Sequence, residues 1–340
     1  MQLKKQFSSI FTTLLLFTTT AFAQTDKINQ IDLLVKRSNQ AGVFNGNVLV
    51  SKNNKIIYNA SFGVTDASKR DKLTTDYRFN IGSITKEFSA VALMQLQEKG
   101  KLKLDDKVSK FIPELPKWAN EVTIRDLLQY TSGIPNVNWK KIRDDKDLFD
   151  GLRQIDTMDF KPGTAYDYNN NNIFLRHFIV ERLTGMSFKN YVEKFIFKLC
   201  KMDLSILTPF ENEKNIARGF NNNSVEDKAD LPITGGTYLT TQDLLKWENC
   251  LQANKLISKT SLFEIGQQFK GEETQSALGA AKFKDGDLIT HLHDGRAGSY
   301  EAILVSDIRE KFTIILLSNN YNGKVFEISD AIKAILKGEN

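Results

Sequence analysis

Two stretches of alternating apolar residues, each broken by a short polar turn, stand near opposite ends of this chain and constrain its fold more than anything between them. Near the start, Asn47 to Ser51 and Ile56 to Ser61 flank the turn-prone pair Asn53-Asn54, so the spacing predicts an antiparallel hairpin. Near the end, Ala302 to Ser306 and Phe312 to Leu317 predict a second hairpin. A helix follows it, with Val325, Ile328, Ile332, Ile335 and Leu336 as its apolar face. The middle reads differently. Val122 to Tyr130, Ile173 to Leu183, Ser187 to Leu199 and Thr241 to Leu251 carry helical periodicity, the last opened by Thr240 and Asp243 at capping-box spacing. The expectation is a single α/β domain over 24–340, with an antiparallel sheet flanked by helices. Its body comes from about 24–100 and 236–340, and a mostly helical subdomain is inserted over about 101–235. A catalytic crevice would fall between the two parts.

With 41% hydrophobic residues, a chain of 340 can support one large core or two modest ones. Residues 1–23 read as a secretory leader: Lys4 and Lys5 are its basic start, Ile10 to Phe17 its apolar stretch, and Ala21-Phe22-Ala23 its cleavage site. That stretch is short and broken by threonines, and no later segment holds the ~18 apolar residues that a bilayer span requires. No cysteine stands at the cleavage site to carry a lipid. An exported protein, secreted or periplasmic and without a membrane span, is therefore expected. The net charge of +5 is spread along the chain, not gathered into a basic stripe, which gives nucleic-acid binding no support. In an oxidising compartment Cys200 and Cys250 are either two thiols or one disulfide, and the sequence leaves both open. Lys140 to Asp156, dense in Lys, Arg and Asp, reads as a solvated helix or lid, and the asparagine runs at 169–172 and 221–223 read as loops.

Chemistry concentrates at three places. Ser83-Ile84-Thr85-Lys86 lies where a strand (Tyr77 to Asn80) leaves through Ile81-Gly82 into a helix marked by Ile84, Phe88, Val91, Met94 and Leu96. The spacing puts a hydroxyl and an amine one turn apart on one face, at the positive end of the helix dipole. A serine needs a nearby deprotonated base to become a nucleophile, and Lys86 is the candidate. The plainer alternative is an N-cap serine followed by a solvated lysine. After Pro162-Gly163-Thr164, Tyr168-Asn169-Asn170 sets a phenol and a carboxamide on a turn before a helix. A cationic lysine beside Tyr168 would favour phenolate and let it shuttle a proton, while Asn170 would hold Lys86 or a substrate amide. The alternative is a packing tyrosine. At the third place, His293-Asp294-Gly295 lies on or beside a sheet edge, between Leu288 to Thr290 and Ala302 to Ser306. Gly295 would let a substrate backbone pass closely and His293 would line the pocket. The N–H of Arg296 would join that of Ser83 as an oxyanion hole. His177 reads as a packing residue on a helix. His291 and His293 alternate as metal ligands would, but no H-E-x-x-H spacing or cysteine cluster accompanies them.

Together these motifs resemble the β-lactamase-related serine hydrolases, a group that includes class C β-lactamases, low-molecular-weight penicillin-binding proteins, D-aminopeptidases and esterases. The resemblance runs from Gly46-Asn47-Val48 to the final helix. It includes Thr123-Ile124-Arg125-Asp126-Leu127-Leu128, Thr131-Ser132-Gly133-Ile134-Pro135, and Gly235-Gly236 with Leu239-Thr240-Thr241-Gln242-Asp243-Leu244. It implies a β-lactamase/transpeptidase-like fold and an acyl-enzyme mechanism in which Ser83 attacks a carbonyl while Lys86 and Tyr168 move protons. It further implies no metal or organic cofactor, and a small-molecule ester, amide or peptide as partner. One departure matters: β-lactamases and transpeptidases of the group carry Lys-Thr-Gly or Lys-Ser-Gly where this chain has His293-Asp294-Gly295. A lysine is a fixed cation, whereas a histidine near its ordinary pKa is mostly neutral and grips a substrate carboxylate less firmly. The expectation is thus an esterase or D-amino-acid amidase or peptidase. A class C-like β-lactamase or D-Ala-D-Ala carboxypeptidase is the alternative, and a noncatalytic binder of cell-wall peptides the second one. Bond type, hydrolysis against transfer and oligomeric state stay open.

Overall fold

Both predicted hairpins join one sheet. In the computed structural model, which describes residues 24–208, 213–227, 236–269 and 274–339, nine strands form two antiparallel sheets. The leader read over 1–23, and Gly235, lie outside the described residues. The strands are β1 (Gly46–Lys52), β2 (Lys55–Phe62), β3 (Phe79–Asn80), β4 (Ile206–Leu207), β5 (Thr237–Leu239), β6 (Ala280–Lys284), β7 (Asp287–Ala297), β8 (Tyr300–Asp307) and β9 (Phe312–Ser318). The large sheet has the order β2-β1-β9-β8-β7-β6 and the small one β3-β5-β4. The pairing of β1 with β9, in register from Gly46 with Ser318 to Lys52 with Phe312, is the seam that joins the two ends of the chain. Asn53 and Asn54 both take positive φ, as the tight β1–β2 turn requires.

The helices are α1 (24–40), α2 (Lys86–Glu98), α3 (Ile124–Gln129), α4 (Asp145–Arg153), α5 (Asn170–Thr184), α6 (Phe188–Val192), α7 (Lys198–Cys200), α8 (Thr241–Gln252), α9 (Lys259–Ile265) and α10 (Val325–Lys337). The sheet is covered on both faces. Val48 and Val50 of β1 and Ile314 and Leu316 of β9 pack with Ile31 and Val35 of α1 and Ile328 and Ile332 of α10. Their alternating neighbours Leu49, Ile315 and Leu317 join the larger core around α2, α5 and α8. Double coverage buries β1 and β9 along nearly their whole length, so apolar residues also fill the face that the alternation read from the sequence would leave to solvent.

Several boundaries differ from the sequence reading, each for a local reason. The strand expected over Tyr77 to Asn80 contributes only Phe79 and Asn80 to a ladder, because its partner β5 is three residues long. The helix expected from Ser187 to Leu199 is interrupted by a π-turn at Glu193–Phe197 between α6 and α7. Thr240 caps α8, but the Asp243 carboxylate turns to Leu204 N and Ser205 Oγ and so forms half a capping box. The complete box is at Thr123 and Asp126, at the head of α3. α4 buries Leu148 and Leu152 and pairs its outer charges (Arg143 with Asp147, Lys146 with Asp150), the solvated helix that its composition suggests. Cys200 and Cys250 are bonded, their Cα atoms 5.9 Å apart, which ties α7 to α8. No helix among the described residues is long and apolar enough to cross a membrane.

Candidate active site

The Ser83 turn is built by hydrogen bonds that precede it. Ile81 N donates to Thr237 O, the Asn80 carboxamide accepts from Gly82 N at 2.9 Å, and Gly82 takes φ +53 to swing the chain into a 3₁₀ turn over Gly82–Thr85. The turn runs directly into α2, whose first residue is Lys86. Lys86 Nζ lies 2.9 Å from Ser83 Oγ. The amine is buried, and burial together with the nearby Arg176 cation lowers its pKa to about 7, against a smaller upward pull from Asp294. At neutral pH a large share of Lys86 is therefore free amine, able to accept a proton from the hydroxyl.

The second motif is held over this pair by a loop. Asp167 N donates to Tyr130 O, Gly163 N to Thr131 O, Asn169 Nδ2 to Ile134 O and Asn171 Nδ2 to Pro135 O. The segment Tyr130 to Pro135 thus acts as the brace for Tyr168 and Asn170. Asn169, with its carboxamide on Asn171 N, is the N-cap of α5, which begins at Asn170, three residues before the periodicity suggests. The Tyr168 ring lies 5.2 Å from Lys86 Nζ and 4.8 Å from the Tyr130 ring.

The expected phenolate does not form here. Burial and the neighbouring Tyr130 push the Tyr168 pKa up, outweighing the downward pull of the Ser83 hydroxyl and the Arg176 cation. Tyr168 is a neutral phenol whose oxygen faces Ser83 without a closed hydrogen bond. Asn170 makes no hydrogen bond to Lys86 among the described residues, and its Oδ1 is buried and unpartnered.

The third motif lies on β7 itself, in the part of the strand beyond its pairing with β6. The two-residue turn Gly298-Ser299 makes Ala297 and Tyr300 the hydrogen-bonded pair, so Arg296 opposite Glu301 directs its N–H away from β8. On that side β6 pairs only as far as Leu292, and the Ile81–Ser83 segment packs beyond it. The space at Gly295 is taken by the chain's own backbone, not left for a substrate: a Cβ there would collide with the Ile81 carbonyl and lie 2.9 Å from Ser83 N. A Cβ on Gly82 would collide with Arg296 N in the same way. This contact seats Ser83 N against Gly295 and Arg296 N against Gly82. The Arg296 guanidinium stacks outward on Tyr321, 3.8 Å from the ring centroid.

His293 is anchored inward. Its Nδ1 lies 2.6 Å from Glu87 Oε1, which also lies 2.8 Å from His291 Nε2. His291 Nδ1 in turn lies 2.7 Å from Glu248 Oε2, and Trp247 Nε1 donates to Glu87 Oε2 at 2.6 Å. All five side chains are buried. Burial alone would discharge both partners, but the ion pair holds Glu87 well below the usual carboxylate range and His291 well above the usual imidazole range. Glu87, His291 and His293 bring three possible metal ligand atoms within 4.8 Å of one another, and mutual hydrogen bonds occupy those atoms. His177 stacks on Phe188 with centroids 3.7 Å apart, and burial pushes its pKa down to about 3. It is a neutral packing ring, although its Nε2 is unpartnered.

The family model for Beta-lactamase matches residues 31–338. This chain belongs to that family. Among its relatives is Penicillin-binding protein 4* of Bacillus subtilis (strain 168), 27% identical over 352 residues, covering 92% of this chain and 77% of that protein. Protein flp of Staphylococcus aureus (strain N315) is 28% identical over 322 residues, 86% of this chain and 63% of that protein, so the chain spans less than two thirds of that relative's length. In structure the chain is similar to the penicillin binding protein from Bacillus halodurans, with TM-score 0.78 at 26% identity, covering 89% of this chain and 98% of that one. The antiparallel sheet and flanking helices are those that the sequence predicts.

Two residues that shape this site escaped the motif reading. Glu87 and Arg176 stand outside every motif, and nothing local in the sequence marks either as buried. Arg176 is instead fully buried, donates through Nε to Leu127 O at 3.0 Å and lies 4.8 Å from the centroid of the Tyr130 ring. Because its charge holds the Lys86 pKa down, Arg176→Met is expected to move the Lys86 titration up toward the ordinary lysine range. NMR of the Lys86 side chain across pH 5–11 reads this directly, and an unchanged midpoint would refute it.

Proposed function

We propose that this protein is an exported serine hydrolase that cleaves small ester or amide substrates, D-amino-acid peptides among the candidates, through an acyl-enzyme on Ser83. The observation that carries the proposal is the 2.9 Å contact between Ser83 Oγ and a buried Lys86 whose pKa is lowered to about 7. Lys86 Nζ takes the Ser83 proton as Oγ bonds to the substrate carbonyl carbon, and the carbonyl oxygen becomes an oxyanion facing the N–H groups of Ser83 and Arg296. The proton then passes from Lys86, by way of the neutral Tyr168 hydroxyl, to the departing alkoxide or amine as its bond to carbon breaks. Water attacks the acyl carbon by the same route in reverse and frees Ser83. The unpartnered Asn170 Oδ1 suits a substrate amide N–H. The leader pattern of residues 1–23 and the Cys200–Cys250 bond support export.

A β-lactamase or D-Ala-D-Ala carboxypeptidase is the weaker reading, because the site has His293 tied to Glu87 where a fixed lysine cation would hold a substrate carboxylate. The test is a chromogenic short-chain ester together with mass spectrometry of the trapped protein. Turnover and an acyl adduct on Ser83, both absent from Ser83→Ala, are the expected result. If neither protein gains mass, the noncatalytic peptide binder is the better account.

A further inference from the structure

We infer that Glu87 is a positioning residue that locks His293 with its proton on Nδ1, so that His293 Nε2 stands as a bare hydrogen-bond acceptor that selects substrates carrying an N–H donor beside the scissile carbonyl. The selection rests on the serine-hydrolase reading above; the lock does not.

A carboxylate can only accept hydrogen bonds. Glu87, held ionised by His291, therefore obliges every group that contacts it to donate. The 2.6 Å contact from His293 Nδ1 to Glu87 Oε1 fixes a proton on Nδ1, so a ring that carries a single proton has its lone pair on Nε2. The neighbouring histidine enforces this. His291 lies between Glu87 Oε1 and Glu248 Oε2 at 2.8 and 2.7 Å, so both of its nitrogens donate, and its charge balances one of the two carboxylates. Trp247 donates to the second Glu87 oxygen, which leaves that side chain no freedom to rotate away. Glu248 is fixed in turn by Gln252 Nε2 at 2.7 Å, and Gln252 also donates to Ser306 at 3.0 Å.

The lock faces the reaction centre. Alternation along β7 puts His291, His293 and Gly295 on one face, with His291 deepest and Gly295 against Ser83 N. His293 is the step between them, one position along this face from the glycine that packs on Ser83 N, and among the described residues its ring is hydrogen-bonded through Nδ1. Where relatives with a lysine at this point offer a cationic donor, this chain offers an acceptor. The sign of recognition is inverted from anion to donor.

Two measurements test the inference. Nitrogen-15 NMR of the histidine rings in the resting wild-type protein at pH 8 should show His293 protonated on Nδ1 and bare on Nε2. Glu87→Gln should shift it toward the Nε2–H tautomer, and Glu87→Asp should restore part of the Nδ1–H signal. A wild-type His293 protonated on Nε2 overturns the lock whether or not any variant folds. The second measurement compares p-nitrophenyl esters of N-acetylglycine and N-acetylsarcosine, which differ in one N–H. The wild type should favour the N–H ester by about tenfold in kcat/KM, the effect of one good hydrogen bond, and His293→Phe should bring the ratio near one. A wild-type ratio near one overturns the donor selection. If neither ester is turned over, the serine-hydrolase reading fails, and the NMR result still decides the lock.

Discussion

Lys86→Met is expected to slow acylation of Ser83 by about 10²–10⁴-fold, the range that a positioned general base contributes. Methionine fills much of the same buried volume and removes the amine in contact with the hydroxyl, so circular dichroism should match that of the parent. The wild-type pH profile carries the same prediction. The base must be unprotonated, so acylation should climb through pH about 7 and level above it, falling about tenfold per pH unit on the acid side. Stability should follow with a definite sign. Between about pH 7 and the ordinary lysine value, the folded protein binds fewer protons at Lys86 than the unfolded chain does, so folding gains stability as pH rises through that window. Lys86→Met removes that dependence and, at pH 7, should raise Tm while acylation collapses, the trade that active sites with buried charge commonly make. Retained acylation in the variant, or a wild-type rate flat from pH 5 to 9, would remove the lysine from the mechanism.

The parts of this site legible in the sequence are those whose geometry is local. Ser83 and Lys86 meet because they are three apart at a helix start, which any helical reading provides. The hairpins were legible through turn chemistry at Asn53-Asn54 and through alternation. Tyr168 and Asn170 were legible as a motif. Their brace was not, since the bonds from the Asn169–Asn171 run to Ile134 and Pro135 join segments more than thirty residues apart.

What stayed hidden is the charge beneath the surface. The order Lys86-Glu87 looks like an ordinary pair on a solvated helix end, and nothing local says that Glu87 meets His291 and His293 from across the chain. The ionisation state of Tyr168 was misjudged for the same reason. An argument from one neighbouring lysine omits burial, which raises the phenol's pKa and lowers the amine's together. Gly295 was singled out as a place where a substrate backbone would pass closely. What approaches it is the Ser83 turn, a long-range contact between β7 and the residues that lead into α2.

That contact yields the second large effect. Gly295→Ala is expected to cost about 10²–10³-fold in acylation, the loss seen when one oxyanion donor is removed, although it changes no titratable or nucleophilic group. The added methyl would press on the Ile81 carbonyl and on Ser83 N, both backbone atoms that no rotamer change can move aside. Relief requires β7 and the Ser83 turn to part, and parting separates the two N–H groups that would receive the oxyanion. The Ser83–Lys86 pair lies wholly on one side of that seam, so its contact, and the Lys86 titration followed by NMR, should persist. Gly151→Ala is the contrast. It lies within α4, where an added Cβ would meet Val137 Cγ1 at an ordinary 3.4 Å, so acylation should be unaffected and the helix slightly favoured. Measuring the acylation rate and the Lys86 titration on the Gly295 variant separates the two parts of the mechanism. Lost acylation with an intact titration assigns the rate to the paired amides, whereas wild-type acylation would show that Ser83 and Arg296 do not form the oxyanion cradle.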